Sequence, residues 1–315
     1  MQYNRLGNTP IVVSKLCFGS LTIGPLQRNL PLDEGAAVIR KAVELGVNFI
    51  DTADLYGTYP YIREVLKSHR DLVIASKSYA YDSRTARETL ERALRGIGRD
   101  YIDIFLLHEQ EGPLTLKGHR EALEYFIAKK QQGVIRAVGI STHYVAAVKA
   151  AAVMEEIDVI HPILNYRGVG IVDGTLEDMT AAIELAYKNG KGIYAMKPLG
   201  GGHLISEFKR ALRYVLDFPY VHSIAIGMQR LEEVYANVSF FNSGEIPYNL
   251  EMVLKSYKRK LFVQDWCAGC GRCVARCPQG ALTIGEEGKA QVNHSRCVLC
   301  GYCGSVCPEL AIKVI

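Results

Sequence analysis

The sequence predicts an α/β fold: a closed barrel of eight parallel strands and eight helices, followed by a small cysteine-rich α+β domain. Two observations carry this. Apolar strand-like runs alternate with amphipathic helical stretches through most of the 315 residues, and eight of the nine cysteines crowd between Cys267 and Cys307.

Eight runs read as strands: KLCFGS from residue 15, VNFIDTA from 47, DLVIASK from 71, YIDIFLLH from 101, IRAVGIST from 135, VIHPILNY from 159, GIYAMKPLG from 192 and HSIAIGM from 222. Between them apolar positions recur every three or four residues and a glycine closes the stretch, as in DEGAAVIRKAVELG, SRTARETLERALRGIG and TLEDMTAAIELAYKNG. Eight strand-helix units imply a (β/α)8 TIM barrel. An open doubly wound sheet is the alternative, but the first strand lacks a G-x-G-x-x-G turn. Ahead of it, QYNRLG and IVVS around Asn8-Thr9-Pro10 read as an N-terminal β-hairpin.

This divides the chain into a barrel at 1–245, a connecting helix at 246–262 and a cysteine domain at 263–315. The barrel's closing helix, LEEVYANVSFF, runs away from the C-terminal ends of the strands, so the next helix, NLEMVLKSYKRKLF, must climb back. Some 14 residues at about 1.5 Å each cover roughly 20 Å. The cysteine domain is therefore expected on the rim where barrel enzymes carry their chemistry.

Hydrophobic residues make up 49% of the chain, enough for a sizeable core. The N-terminus, MQYNRLGN, lacks a charged-then-apolar signal pattern, and no apolar run approaches the roughly 18 residues that span a bilayer. A cytoplasmic protein without membrane attachment is expected, and in a reducing compartment clustered cysteines suit metal ligation better than disulfides. The remaining cysteine, Cys17, reads as a small core residue in SKLCFGS. The net charge of +4 is spread thinly and does not indicate nucleic acid; the basic run KSYKRK reads as the solvated face of a helix.

Cys267, Cys270, Cys273 and Cys277 precede Pro278, and Cys297, Cys300, Cys303 and Cys307 precede Pro308, giving C-x2-C-x2-C-x3-C-P twice. Three closely spaced thiolates can turn around one iron-sulfur cube while the fourth, after a bend, points at the other. The expected sets are therefore crossed: Cys267, Cys270, Cys273 and Cys307 for one [4Fe-4S] cluster; Cys297, Cys300, Cys303 and Cys277 for the other. Paired zinc sites are the alternative, but zinc chemistry has no use for a fourth Cys-Pro in each repeat. The flanks CPQGALTI and CPELAIKVI repeat too, so the segment is an internal duplication. From Cys267 to Ile315 it resembles bacterial two-cluster ferredoxins.

In the barrel, FIDTADLYG places Asp51 at a strand end with Tyr56 in the loop beyond it; Lys77 ends the next strand and His108 the one after. Together they could protonate a carbonyl oxygen while a hydride reaches its carbon. Tyr56 would be the general acid, its pKa lowered by Lys77, with Asp51 holding the ammonium and His108 orienting the substrate oxygen.

With these motifs in place, residues 1 to about 245 resemble an aldo-keto reductase: DTADLYG, the lysine of ASKSY and the histidine of LLHEQ match that family's tetrad. The resemblance implies reduction of a small aldehyde or ketone by NADP or NAD bound across the rim. It carries cofactor contacts to Ser141, Asn165, Met196, Lys197, Gly227, Gln229, Glu233 and Asn237. Met196 stands where many members have a stacking tyrosine, and His161 where a glutamine is common. Gly227 and Glu233 replace basic residues that grip the 2′-phosphate of NADPH, which makes NADH plausible.

Hydride transfer moves two electrons and each cluster passes one, so joining them ordinarily needs an intermediary. Three readings stay open: a reductase with clusters in its electron path, with a redox partner protein; an electron carrier whose barrel is a docking module; and a reductase whose clusters are structural or sensing.

Overall fold

The computed structural model describes residues 1–315. Strands β1 (Tyr3–Arg5) and β2 (Val12–Ser14) form an antiparallel hairpin. The barrel strands are β3 (Leu16–Gly19), β4 (Phe49–Asp51), β5 (Val73–Ser78), β6 (Ile102–Leu107), β7 (Ile135–Thr142), β8 (Val159–Pro162), β9 (Gly192–Met196) and β10 (Ser223–Gly227). Each pairs in parallel with the next, and β10 closes back on β3. Seven lie within a run picked out by its apolar sequence, and β5 overruns its run by one residue, Ser78.

The outer ring comprises α1 (Leu32–Glu44), α2 (Tyr59–Leu66), α3 (Ser83–Ile97), α4 (Pro113–Gly118), α5 (Arg120–Gln131), α6 (Val145–Ala152), α7 (Leu176–Lys188), α8 (Phe208–Asp217) and α9 (Leu231–Ser243). Local chemistry sets their ends. Helix α3 starts where the Asp82 carboxylate accepts the Thr85 N–H at 2.7 Å, and stops at Gly98, whose φ of +78° few other residues adopt cheaply. The loop after His108, which carries no helical signature by periodicity alone, contains α4, started by Pro113 at its first turn.

The barrel interior is filled rather than hollow. Cys17, Phe49, Ile104, Leu106, Ala137, Val159 and Tyr194 form one apolar cluster with Leu6, Ile11 and Val13, so the hairpin plugs the barrel at the N-terminal end of its strands. The larger cluster, 59 residues, lies between strands and helices.

Helix α10 (Tyr248–Ser256) is shorter than the predicted 246–262 helix. At about 1.5 Å per residue it covers roughly 14 Å, and the chain continues extended. Tertiary pairing overrides the helical pattern: Lys260 exchanges backbone hydrogen bonds with Ile315 at 2.8 and 3.0 Å, starting strand β11 (Leu261–Val263) against β14 (Ile312–Val314). Of the run KSYKRK only Lys255 and Ser256 lie on the solvated end of a helix, and the rest is extended. Between these strands lie α11 (Arg272–Arg276) and the hairpin of β12 (Leu282–Ile284) with β13 (Ala290–Val292).

The cysteine domain rests on the C-terminal rim. Leu310 packs against Ile163 and Gly170, beyond β8, and belongs to the barrel's main apolar cluster. His203, beyond β9, bonds the Ile312 carbonyl through Nε2 at 2.8 Å.

Candidate active site

Three consecutive strands deliver the polar centre. Asp51 ends β4, Lys77 lies near the end of β5, and His108 directly follows β6, all buried; Tyr56 hangs from the turn after β4 and is partly buried. Lys77 Nζ donates to Asp51 Oδ2 at 2.8 Å and to the Thr52 carbonyl at 2.8 Å, and lies 3.4 Å from the Tyr56 hydroxyl. The Tyr56 ring meets His108 edge-on at 5.8 Å, and Tyr79 stacks on the other side of His108 at 4.5 Å. The buried Nδ1 of His108 has no hydrogen-bond partner.

Electrostatics here differ from the sequence-based expectation in one respect. Tyr56 is not drawn down by Lys77: burial, the Asp51 carboxylate and Glu109 push its phenol well above its usual range. Burial is the largest influence, and the Lys77 ammonium, already paired with Asp51, does not offset it in the resting site. Burial and the Lys77, Lys197 and His161 side chains hold His108 far below the usual imidazole range, so it is neutral. His161 is lowered to about 4, chiefly by burial; its Nδ1 donates to the Tyr194 carbonyl at 2.6 Å, and its ring stacks on Tyr194 at 3.8 Å.

Periodicity gave no reason to single out Tyr194, whose hydroxyl donates to Asp51 Oδ1 at 3.0 Å. With Lys77 on Oδ2, it fixes the carboxylate from both oxygens. The visible signal was one hydroxyl-bearing ring in an otherwise small and aliphatic strand.

A cavity of about 180 Å³ opens from Asp51 and Tyr56 past His161, Met196 and Lys197 to Gly227, Gln229 and Glu233. Five of the eight proposed dinucleotide contacts thus line one space. Ser141, Asn165 and Asn237 do not: Ser141 accepts the Glu109 N–H at 3.0 Å, Asn165 bonds both backbone groups of Val169, and Asn237 donates to the Glu233 carbonyl at 2.7 Å. The space joins the buried Asp51 carboxylate to the polar Gln229 and Glu233, and its volume is below the roughly 300 Å³ usual for ligand sites.

Four lining residues, Arg259, Lys313, Val314 and Ile315, come from beyond the barrel. Arg259 reaches within 3.9 Å of Glu233, and Lys313 and Ile315 enter from the chain's end. Burial raises the Glu233 carboxyl, while its bond from the Gln229 N–H and the guanidinium groups of Arg259, Arg230 and Arg28 oppose this. Two non-glycine residues beside the cavity, Glu109 and Lys197, hold φ of 49° and 56°, a conformation that costs energy.

In the cysteine domain, Cys267, Cys270, Cys273 and Cys307 line one cavity, and Cys277, Cys297, Cys300 and Cys303 line another. The fourth cysteines are related by the duplication: Ala281 N–H donates to Cys277 Sγ and Ala311 N–H to Cys307 Sγ, each at 3.3 Å. Such donors favour thiolate sulfur bound to iron. Burial and neighbouring thiols push Cys303 up to about 12 and raise Cys273, so ligation must draw the protons off. The donor sets fit two cubane clusters, one in each cavity.

Residues 15–211 match the aldo/keto reductase family and residues 266–311 the 4Fe-4S dicluster domain. The oxidoreductase YqkF of Bacillus subtilis, itself uncharacterised, is 24% identical over 306 residues, covering 82% of this chain and 97% of its own. L-galactose dehydrogenase of Arabidopsis thaliana is 25% identical over 289 residues, covering 76% and 88%. The structure of PA4992 from Pseudomonas aeruginosa superposes with a TM-score of 0.66 at 26% identity, over 76% of this chain and 93% of that one. Aldo-keto reductase AKR11C1 of Bacillus halodurans gives 0.66 at 22% identity, over 82% and 97%, a likeness of fold. No helix is long and apolar enough to cross a membrane. The match spans well over half the chain and includes the strands that carry the polar centre: the protein belongs to the aldo/keto reductase family and is an oxidoreductase with a 4Fe-4S dicluster domain at its C-terminal end.

Proposed function

We propose that the chain interconverts a small aldehyde or ketone and its alcohol with a nicotinamide dinucleotide, Tyr56 moving the proton. The observation that carries this reading is the contact chain Asp51, Lys77, Tyr56, with Lys77 Nζ 2.8 Å from the carboxylate and 3.4 Å from the phenol. NADH or NADPH supplies the hydride when bound, held by Met196, Lys197, Gly227, Gln229 and Glu233. The chain's residues manage the oxygen. Tyr56, neutral at working pH, donates to the carbonyl oxygen; the Lys77 ammonium then stabilises the phenolate that forms, and Asp51 keeps that ammonium in place. His108, held neutral, orients the same oxygen through Nε2, its Nδ1 being sealed in the interior.

Both dinucleotides are compatible with the far end of the cavity. Glu233 accepts ribose hydroxyls and repels a 2′-phosphate, whereas Arg259, 3.9 Å away, offsets that repulsion. The two cube sites, Cys267, Cys270, Cys273 with Cys307 and Cys297, Cys300, Cys303 with Cys277, serve electron transfer or redox control, with room for a redox partner protein.

A second reading, an electron carrier whose barrel only docks, draws on the narrowness of the cavity beside the terminal strand. Anaerobic titration separates them. Oxidation of NADH or NADPH that depends on an added carbonyl and is abolished by Tyr56→Phe supports the first; failure of both dinucleotides to bind, with no carbonyl reduced, removes it.

A further inference from the structure

Four lysines are buried: Lys15, Lys77, Lys191 and Lys313. Burying an ammonium costs several kcal/mol unless acceptors replace its water. Three of the four have them. Lys15 donates to the Val221 carbonyl, Lys77 to Asp51 and the Thr52 carbonyl, and Lys191 to the carbonyls of Met154 and Ile157. Lys313 bonds none: its side chain is only 5% exposed, its Nζ keeps its open surface toward the cavity, and burial lowers its ammonium to about 8, with Glu109 and Cys307 opposing this from a distance.

Its position gives this meaning. Lys313 lies on β14 of the cysteine domain, and its stem runs beside Gly201 in the loop beyond β9. Its side chain lines the cavity that also holds Asp51, Tyr56 and Lys197. Lys197 Nζ sits 2.7 Å from His143 Nε2 and feels Lys313 as its strongest charged neighbour. The carboxylate both lysines feel, Glu109, forms no ion pair with either and accepts the Tyr79 hydroxyl at 2.5 Å. Two lysines thus converge on one space with no bonded counter-ion.

We propose that Lys313 of the cluster domain and Lys197 of the barrel form an anion-binding site inside the catalytic cavity, for a phosphate or carboxylate group. The active site is then shared between domains. The anion has two possible sources, the pyrophosphate of the dinucleotide and an acidic group on the carbonyl substrate; the proposal rests on the reductase reading for these identities, but not for the binding itself.

The test uses anaerobically purified holoprotein with both clusters present, titrated calorimetrically with inorganic pyrophosphate. Wild type should bind at one site; Lys313→Gln and Lys313→Met, the latter keeping the stem beside Gly201, should bind at least about tenfold more weakly, and Lys313→Arg near wild type. Absence of binding to wild type, or equal binding by the neutral variants with clusters intact, overturns the proposal. Two further arms assign the source. Weaker binding of NADH or NADPH, with unchanged binding of reduced nicotinamide riboside, identifies the pyrophosphate. A raised KM for a carboxylate- or phosphate-bearing aldehyde, with a neutral aldehyde unchanged, identifies the substrate. Pyrophosphate binding without any carbonyl reduction leaves the anion site standing and removes the reductase reading.

Discussion

Gly202→Ala tests whether the terminal strand is seated on the barrel rim. Gly202 has φ +93°, and a methyl group there would lie 2.2 Å from the Val314 carbonyl oxygen, a backbone atom that cannot rotate away. The conformational cost alone is roughly 1–2 kcal/mol, and overpacking adds about 1–3 kcal/mol. Gly133→Ala is the matched control, with φ +76° and nothing within 4 Å of the added carbon, so it carries the strain without the clash. Because β14 is three residues long while the barrel has its own large core, the clash is expected to lift β14 against the His203 bond and the packing of the preceding Leu310 rather than unfold the barrel. Lys313 then becomes accessible. Anaerobic labelling with an amine-reactive reagent, read by peptide mass spectrometry, should modify Lys313 in Gly202→Ala and spare it in wild type and Gly133→Ala. Labelling and melting of Gly202→Ala that match the control would refute the seating of the strand against this loop.

Other consequences are as direct. Tyr56→Phe should lower kcat for carbonyl reduction by about 10²–10⁴ while leaving dinucleotide affinity unchanged, as measured by fluorescence titration. His161 is lowered to about 4 and His108 well below the usual imidazole range, both chiefly by burial, so neither gives the reduction rate a limb between pH 6 and 8, and steady-state profiles should be flat there. Oxidation of the alcohol needs the Tyr56 phenol to lose its proton, and since burial and Asp51 raise that phenol, the oxidation rate should climb as pH rises past 8. Arg259→Ala removes the guanidinium beside Glu233 and should weaken NADPH by about tenfold relative to NADH; equal losses would place Arg259 outside that end of the site. Cys307→Ser should reduce anaerobic iron content from about eight to about four per chain if its set holds one complete cube.

The barrel was legible because parallel strands covered on both sides become continuous apolar runs, and the polar residues that end them stand out. Asp51, Lys77 and His108 are visible in sequence for this reason. What sequence could not deliver was the balance of their fields. How far a lysine lowers a neighbouring phenol depends on how deeply the phenol is buried and what else holds the lysine, and neither the burial of Tyr56 nor the Asp51 carboxylate 2.8 Å from Lys77 can be read from the sequence. The boundary at Ser256 was illegible for a related reason: KSYKRKLF has helical periodicity, and only the partner strand, more than 50 residues later at the chain's end, makes it extended.

The duplication shows where the two domains act on each other. In the first repeat, ALTI runs from Ala281 to Ile284; in the second, AIKV runs from Ala311 to Val314. Corresponding positions have the same strand register and the same N–H to sulfur bond before them, at Ala281 and Ala311. Thr283 and Ile284 are exposed, whereas Lys313 is buried against Gly201 of the barrel and Val314 in the cysteine domain's own apolar cluster. Nothing internal to an iron-sulfur domain calls for a lysine on an inward-facing strand, and a domain tethered only for stability would favour an apolar residue there. Lys313, Val314 and Ile315 all line the cavity that holds Asp51 and Tyr56, and the charged side chain among them is the one an anion in that cavity would explain. The proposed linkage would run both ways: an anion held by Lys313 would also pin β14, whose chain leads back within six residues to Cys307 at the edge of its cluster cavity.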